Sequence, residues 1–224
     1  MQINPSLSLA QKLEIKQELK ELLPKLGVAG TLKNLKYVLR EVPQFDEGKV
    51  NYLIAGGWAC DILSGNKRKH HDIDIIILED DISYLDTDNN EPQDYFGILS
   101  TSTEDILQNH IIETFWKQGR RKVYVPSHEF LITTKIAPYQ GNPSREKDLE
   151  DIVNLMKSKD SLDFYKLKST FSKVPELEEP QRYALCVYKL YKCRNENEDI
   201  LKKALCEVSQ NITNKIKMKG SEKK

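Results

Sequence analysis

The run Gly56 to Ile77, Gly-Gly-Trp-Ala-Cys-Asp-Ile-Leu-Ser-Gly-Asn-Lys-Arg-Lys-His-His-Asp-Ile-Asp-Ile-Ile-Ile, constrains this chain more than any other. It follows a short β-prone segment, residues 50–55, that ends abruptly at Gly56-Gly57. Trp58 to Ser64 then read as a helix that Gly65 is placed to terminate. Residues 71–78 have the β-branched content of a mostly buried strand. The order is strand, tight turn, helix, strand. On the second strand Asp72 and Asp74 leave the same face, while Ile73, Ile75 and Ile77 take the other. An unpaired buried charge costs on the order of several kcal/mol, so two adjacent carboxylates on a core strand call for a compensating cation. Mg²⁺, which prefers carboxylate oxygen and substrate phosphate, would serve. The competing reading is an exposed strand end, where both aspartates are simply solvated.

Gly56-Gly57 tips the balance. Two glycines between a strand and a helix let the backbone approach a phosphate, and the helix N-terminus beyond them offers free N–H groups and a partial positive charge. The pattern is not a P-loop, since nothing fits Gly-x-x-x-x-Gly-Lys-[Ser/Thr]. A phosphate cradle beside a metal site is what nucleotidyl transfer requires.

Around this window, Leu9, Leu13, Leu19, Leu22 and Leu23 predict a helix over 7–23, stopped by Pro24 and Gly27, with a second from Thr31 to Val42. The acidic stretch Glu79 to Asp94 reads as loop. Runs 110–117 and 121–126 flank Gln118-Gly119-Arg120 and predict a hairpin extending the same sheet. From Ser144 onward Leu149, Ile152, Val153, Leu155 and Met156 recur at helical spacing, and runs 161–171, 178–193 and 197–212 continue it. Tyr183, Tyr188 and Tyr191 in that region read as packing rather than as a base-stacking platform. The implied organisation is N-terminal helices over 1–44, a central α/β domain over 45–140, a helical region over 141–213 and a disordered lysine-rich tail over 214–224. The boundary is expected near Gly141-Asn142-Pro143.

Charge excludes one class of argument. Thirty-four basic residues balance thirty-four acidic ones, so any nucleic-acid or anionic-membrane surface must be local. No apolar run approaches the roughly 20 residues of a membrane span, and no signal peptide opens the chain, so a cytoplasmic protein without membrane contact is expected. Cys60, Cys186, Cys193 and Cys206 are expected to be buried, reduced thiols.

Gly56-Gly57-Trp58, Asp61, Gly65, Arg68, His70 and Asp72-Ile73-Asp74-Ile75 together resemble the signature of the DNA polymerase beta-type nucleotidyltransferase superfamily. The likeness is closest to the small bacterial lincosamide and aminoglycoside nucleotidyltransferases and the abortive-infection and minimal nucleotidyltransferases. A looser echo follows in Lys135 and in Arg145-Glu146-Lys147-Asp148-Leu149-Glu150-Asp151, so the resemblance spans about residues 50–155. It implies an α+β (α/β) fold with a mixed sheet, flanking N-terminal helices and a C-terminal helical region. It further implies that Gly56 and Gly57 hold the triphosphate of an NTP donor, that Lys135 and Lys147 contact the nucleotide, and that Asp72 and Asp74 ligate Mg²⁺ in a two-metal site. A third carboxylate normally completes such a site as ligand and base; Glu113, on the run 110–117, is the first candidate and Asp94 the reserve. Arg68 and Lys67 could neutralise phosphate charge. The acceptor is open: a small molecule, a protein or an RNA end. Two rival readings remain: a zinc site built from His70, Asp72 and Asp74, and a catalytically silent nucleotide-binding module or the toxin of a toxin–antitoxin pair, whose partner would be a cognate antitoxin.

Overall fold

Helices begin where the leucine spacing places them, α1 over Leu9–Lys25 and α2 over Leu32–Glu41. Thr31 caps α2 by accepting the Asn34 N–H on its hydroxyl, and the helix buries Leu35, Val38 and Leu39. The computed structural model describes residues 8–25, 30–46, 48–78, 83–86, 93–94, 105–139, 146–175 and 177–222. These divide into two compact units, one holding the described residues up to Pro126 and the other those from Ser127 on. The division falls ahead of the turn-rich cluster 141–143, which lies outside the described residues.

In the first unit, β1 (Phe45–Asp46) and β2 (Lys49–Val50) form a short antiparallel pair. A four-stranded sheet follows in the order β3-β4-β5-β6, built from Tyr52–Ile54, Asp74–Ile77, Ser83–Asp86 and Gln93–Asp94, all pairs antiparallel. The acidic stretch read as loop therefore contains two strands. Ile75 and Ile76 face Leu85 and Tyr84 across the ladder, so a partner distant in sequence overrides the low β-propensity of the acidic residues around it. Ile73, Ile75, Ile76 and Ile77 are all buried.

The hairpin forms as the spacing predicts, β7 (Ile111–Trp116) against β8 (Arg121–Pro126). It makes its own two-stranded ladder instead of extending the larger sheet. Gln44 stands between the two: its Nε2 donates to the carbonyls of Tyr52 and Tyr124, and its Oε1 accepts the Tyr124 N–H. A buried side-chain amide thus supplies the hydrogen bonds that a direct β3–β8 ladder would have made.

The second unit is helical: α4 (His128–Tyr139), α5 (Glu146–Ser158), α6 (Phe164–Phe171), α7 (Pro180–Lys192) and α8 (Glu198–Glu222). The backbone of α8 continues through residues whose composition reads as a disordered tail, which lysine and glutamate, being good helix formers, permit. The architecture is α+β, with N-terminal helices and a C-terminal helical region. Among the described residues no helix is long and apolar enough to cross a membrane. None of the four cysteines is in a disulfide, and of them only Cys60 is buried.

His128, at the start of α4, is buried with its Nδ1 lacking a hydrogen-bond partner. Burial, reinforced by the Lys159 ammonium, lowers its pKa from 6.5 to about 4. The unfolded imidazole therefore binds a proton at a pH where the folded one does not, so stability falls as pH drops from 6.5 towards 4. The loss amounts to about 3 kcal/mol across the window. Glu129, whose carboxyl is held low by its hydrogen bonds from Lys159 and Asp163, adds its own loss only below the ordinary carboxylate range. Urea denaturation at pH 7 and pH 5 should therefore separate wild type from His128→Gln, the variant losing less on acidification.

Candidate active site

The buried strand β3 ends at Ala55, the residue that caps α3 (Gly56–Ser64). Ala55 N–H donates to the Asp74 carbonyl at 2.9 Å, which carries the β3–β4 ladder one step past Ile54 and brings the first turn of α3 against Asp74. Gly56 has φ +53°, and a Cβ placed on it would run into the Asp74 carboxylate. The glycine is therefore required twice: for the left-handed backbone and for the space the carboxylate fills. At Gly65, which ends the helix at φ +73°, a Cβ would meet nothing within 4 Å.

This difference yields a stability test. Gly56→Ala and Gly65→Ala should each cost about 1–2 kcal/mol for forcing an L-residue into the left-handed region. Gly56→Ala should cost clearly more than Gly65→Ala in denaturant titrations, because only it also displaces a carboxylate. Equal losses would mean that Asp74 does not rest on Gly56.

Asp72 and Asp74 are both half-buried and Ile73 between them is buried. β4 itself starts only at Asp74. The preceding residues are held instead by the loop before α2, where Gly30 N–H donates to the His71 carbonyl at 2.8 Å and the Gly30 Cα leaves no room for a side chain beside the Asp72 backbone.

Asp61, on α3, is buried and organises the return loop. Its Oδ2 accepts the His70 Nε2–H at 2.8 Å and the Arg68 N–H at 3.0 Å, and its Oδ1 lies 3.7 Å from Arg68 Nε. The His70 ring stacks on Trp58, centroids 4.1 Å apart, and Trp58 meets Trp116 edge-on. A Cβ on Gly57 would run into the Arg68 guanidinium and lie 2.9 Å from His70 Nδ1. The second glycine thus admits a cation against the first turn of α3. The first-turn N–H groups, the helix dipole and Arg68 converge on one end of the helix, an arrangement suited to an anion. Lys67 is exposed.

The remaining sequence candidates are placed differently. Glu113 is bound by Lys122 Nζ at 2.7 Å and by the Tyr124 hydroxyl at 2.8 Å, both on β8. The hydrogen bonds from Lys122 and Tyr124 hold its carboxyl below the usual range, which makes it a weak proton acceptor, while burial and Glu113 push the Tyr124 phenol up to about 12. Among the described residues no group of three or more His, Cys, Asp or Glu side chains is gathered as a metal ion needs, so neither Glu113 nor His70 joins Asp72 and Asp74. The physical reason is the same for both: each already serves a closer partner, Lys122 in one case and Asp61 in the other. Asp94 pairs with Ser83 in the backbone register. Lys135 is buried in the second unit, its Nζ 2.9 Å from Asp148 Oδ1 and 2.8 Å from Asp151 Oδ2. The lysine and Lys-Asp-x-x-Asp elements thus form an ion cluster within the helices. Lys147 is exposed on α5.

One residue escapes the sequence reading. The backbone register sets Asp86, the last residue of β5, opposite Asp74. The signal, Ser-Tyr-Leu-Asp at the end of an acidic stretch, is too short to stand out as a strand. Mg²⁺ is commonly held by one or two carboxylates completed by substrate phosphates, so the hard oxygens of Asp72 and of Asp74, the latter against the first turn of α3, suit that ion without a third protein ligand. They do not make the three- or four-donor set that zinc takes.

Residues 37–86 match the family model of aminoglycoside-2''-adenylyltransferase. The matched span runs from α2 to the end of β5 and contains both glycines, Asp61, Arg68, His70, Asp72, Asp74 and Asp86. It is consistent with the relationship to small bacterial nucleotidyltransferases that the motif suggests. No curated protein and no solved structure matches the chain.

Proposed function

We propose that this protein transfers a nucleoside monophosphate from an NTP to an acceptor hydroxyl, using the end of α3 and the β4 aspartates. The family match supports nucleotidyl transfer as the general activity. The observation that carries the finer reading is the Asp74 carboxylate lying over Gly56, at the helix end that Arg68 also approaches. In this reading the first-turn N–H groups of α3 and Arg68 bind the phosphates. Asp72 and Asp74 hold Mg²⁺, which when bound neutralises charge on the transferring phosphate and the leaving group.

The acceptor oxygen attacks the α-phosphorus, the bond from that phosphorus to the bridging oxygen breaks, and pyrophosphate leaves with the electron pair. The proton of the acceptor hydroxyl passes to a carboxylate. Asp86 takes that role in place of Glu113, because it stands opposite Asp74 in the register and Glu113 is engaged by Lys122 and Tyr124.

The test is a screen of the four NTPs, each labelled at the α-phosphate, against pools of small-molecule, protein and RNA acceptors with Mg²⁺ present. Label should move to one pool with stoichiometric pyrophosphate release. A protein that binds NTP with Mg²⁺ yet moves label to none of the pools would support the silent module instead.

A further inference from the structure

We propose that the outer face of α6 and α7 binds single-stranded nucleic acid. The inference is independent of nucleotidyl transfer, since it concerns residues of the helical unit alone.

Both helices turn one face inward. Leu167, Thr170 and Phe171 of α6 are buried, as are Tyr183, Ala184, Val187 and Tyr191 of α7. The other face has an unusual composition. In a chain whose acids and bases balance, neither Phe-Tyr-Lys-Leu-Lys-Ser-Thr-Phe of α6 nor Pro-Gln-Arg-Tyr-Ala-Leu-Cys-Val-Tyr-Lys-Leu-Tyr-Lys of α7 contains an aspartate or a glutamate. Lys166, Lys168, Lys189 and Lys192 are exposed on them. Of the flanking acids, Asp163 caps α6 by accepting the Tyr165 and Lys166 N–H groups and Glu179 pairs with Arg182, while Glu178 and Glu196 are exposed on either side of α7. The basic charge is therefore concentrated on α6 and on the C-terminal half of α7.

Aromatic rings run through this charge. Tyr165 is 80% exposed. Its ring meets Phe164 at 5.8 Å, Phe164 meets Tyr188 at 5.5 Å, and Tyr188 meets Tyr191 at 6.1 Å, centroid to centroid. Lys192 Nζ sits 5.0 Å over the Tyr188 ring and Arg194 Cζ 4.1 Å over Tyr191. The buried end of the series is anchored, since the Tyr191 hydroxyl donates to the carbonyls of Lys159 and Asp160. The tyrosines thus divide: Tyr183 and Tyr191 are packing, as the sequence suggests, whereas Tyr165 and the half-buried Tyr188 lie at the surface among lysines.

An acidic protein would be met by the lysines alone and has no use for a held, exposed ring. A single strand uses both, bases stacking on ring faces while phosphates are neutralised by spaced cations. Such recognition tolerates any base sequence, as every base has a π face.

Fluorescence anisotropy of the full chain, without nucleotide and with EDTA, tests this using labelled oligouridylate and oligoadenylate of about 20 nucleotides at about 50 mM salt and above. Binding should weaken as salt rises. Tyr165→Ala should weaken it about tenfold with little change in salt slope, and Tyr165→Phe should restore it, because stacking depends on the ring. The double variant Lys189→Gln, Lys192→Gln should instead flatten the salt slope by about 0.7 for each phosphate it no longer neutralises. Tyr165 is so exposed that its variants fold. No binding to either oligonucleotide, or binding that Tyr165→Ala leaves unchanged, overturns the proposal. Equal affinity for a polyglutamate of matching charge overturns it too, by reducing the face to a general anion surface.

Discussion

Asp74→Asn should lower nucleotidyl transfer by about a thousandfold, the equivalent of about 4 kcal/mol of transition-state stabilisation. The substitution keeps the volume of the side chain over Gly56 and removes its charge, so the thermal transition should move little while label transfer from an α-labelled NTP collapses. Asp72→Asn should behave alike. Two further variants separate the acids around them. Glu113→Gln should leave turnover within a fewfold of wild type, because that carboxylate serves Lys122 and Tyr124. Asp86→Asn should approach the effect of Asp74→Asn. Near-wild-type turnover in Asp72→Asn and Asp74→Asn would remove the β4 pair from the chemistry, whereas a collapse in Glu113→Gln would return the third role to Glu113.

The second large effect concerns stability. Lys135→Met leaves Asp148 and Asp151 buried without the ammonium that lies within 3 Å of both, and should cost about 3–5 kcal/mol. Adding Asp148→Asn and Asp151→Asn to the same chain should recover part of the loss, since replacing every member of a buried ion cluster is far cheaper than orphaning some of them. Urea denaturation followed by helix content reads both steps. The opposite pattern, unchanged stability with NTP binding abolished, would restore Lys135 to the nucleotide contact that the motif resemblance implies.

These outcomes separate what local sequence can carry from what it cannot. The turn at Gly56-Gly57, the helix closed by Gly65 and the buried strand that Asp74 opens follow from backbone freedom and from the β-branched run Ile75 to Ile77. Each depends on neighbours a few positions away. The hairpin at 111–126 was legible for the same reason, its register fixed by the short turn. The ion pairing of Lys135 was not: the resemblance gives this lysine to the nucleotide, and its bonds to Asp148 and Asp151 arise only when the next helix is folded against its own. Nor was β5, whose strand character comes from pairing with β4 across an acidic stretch of low β-propensity, nor therefore Asp86, which only that register sets opposite Asp74. Asp61 and His70 both belong to the motif, but their bond exists because the Gly65 turn sends the chain back along α3. Sequence alone determined the chemical types available, two carboxylates, a side-chain-free helix start and nearby bases, because these are properties of residues and short periods. Tertiary structure decided which of those charges are already spent on one another, because a partner brought in from another element satisfies a carboxylate or an ammonium as fully as a ligand would.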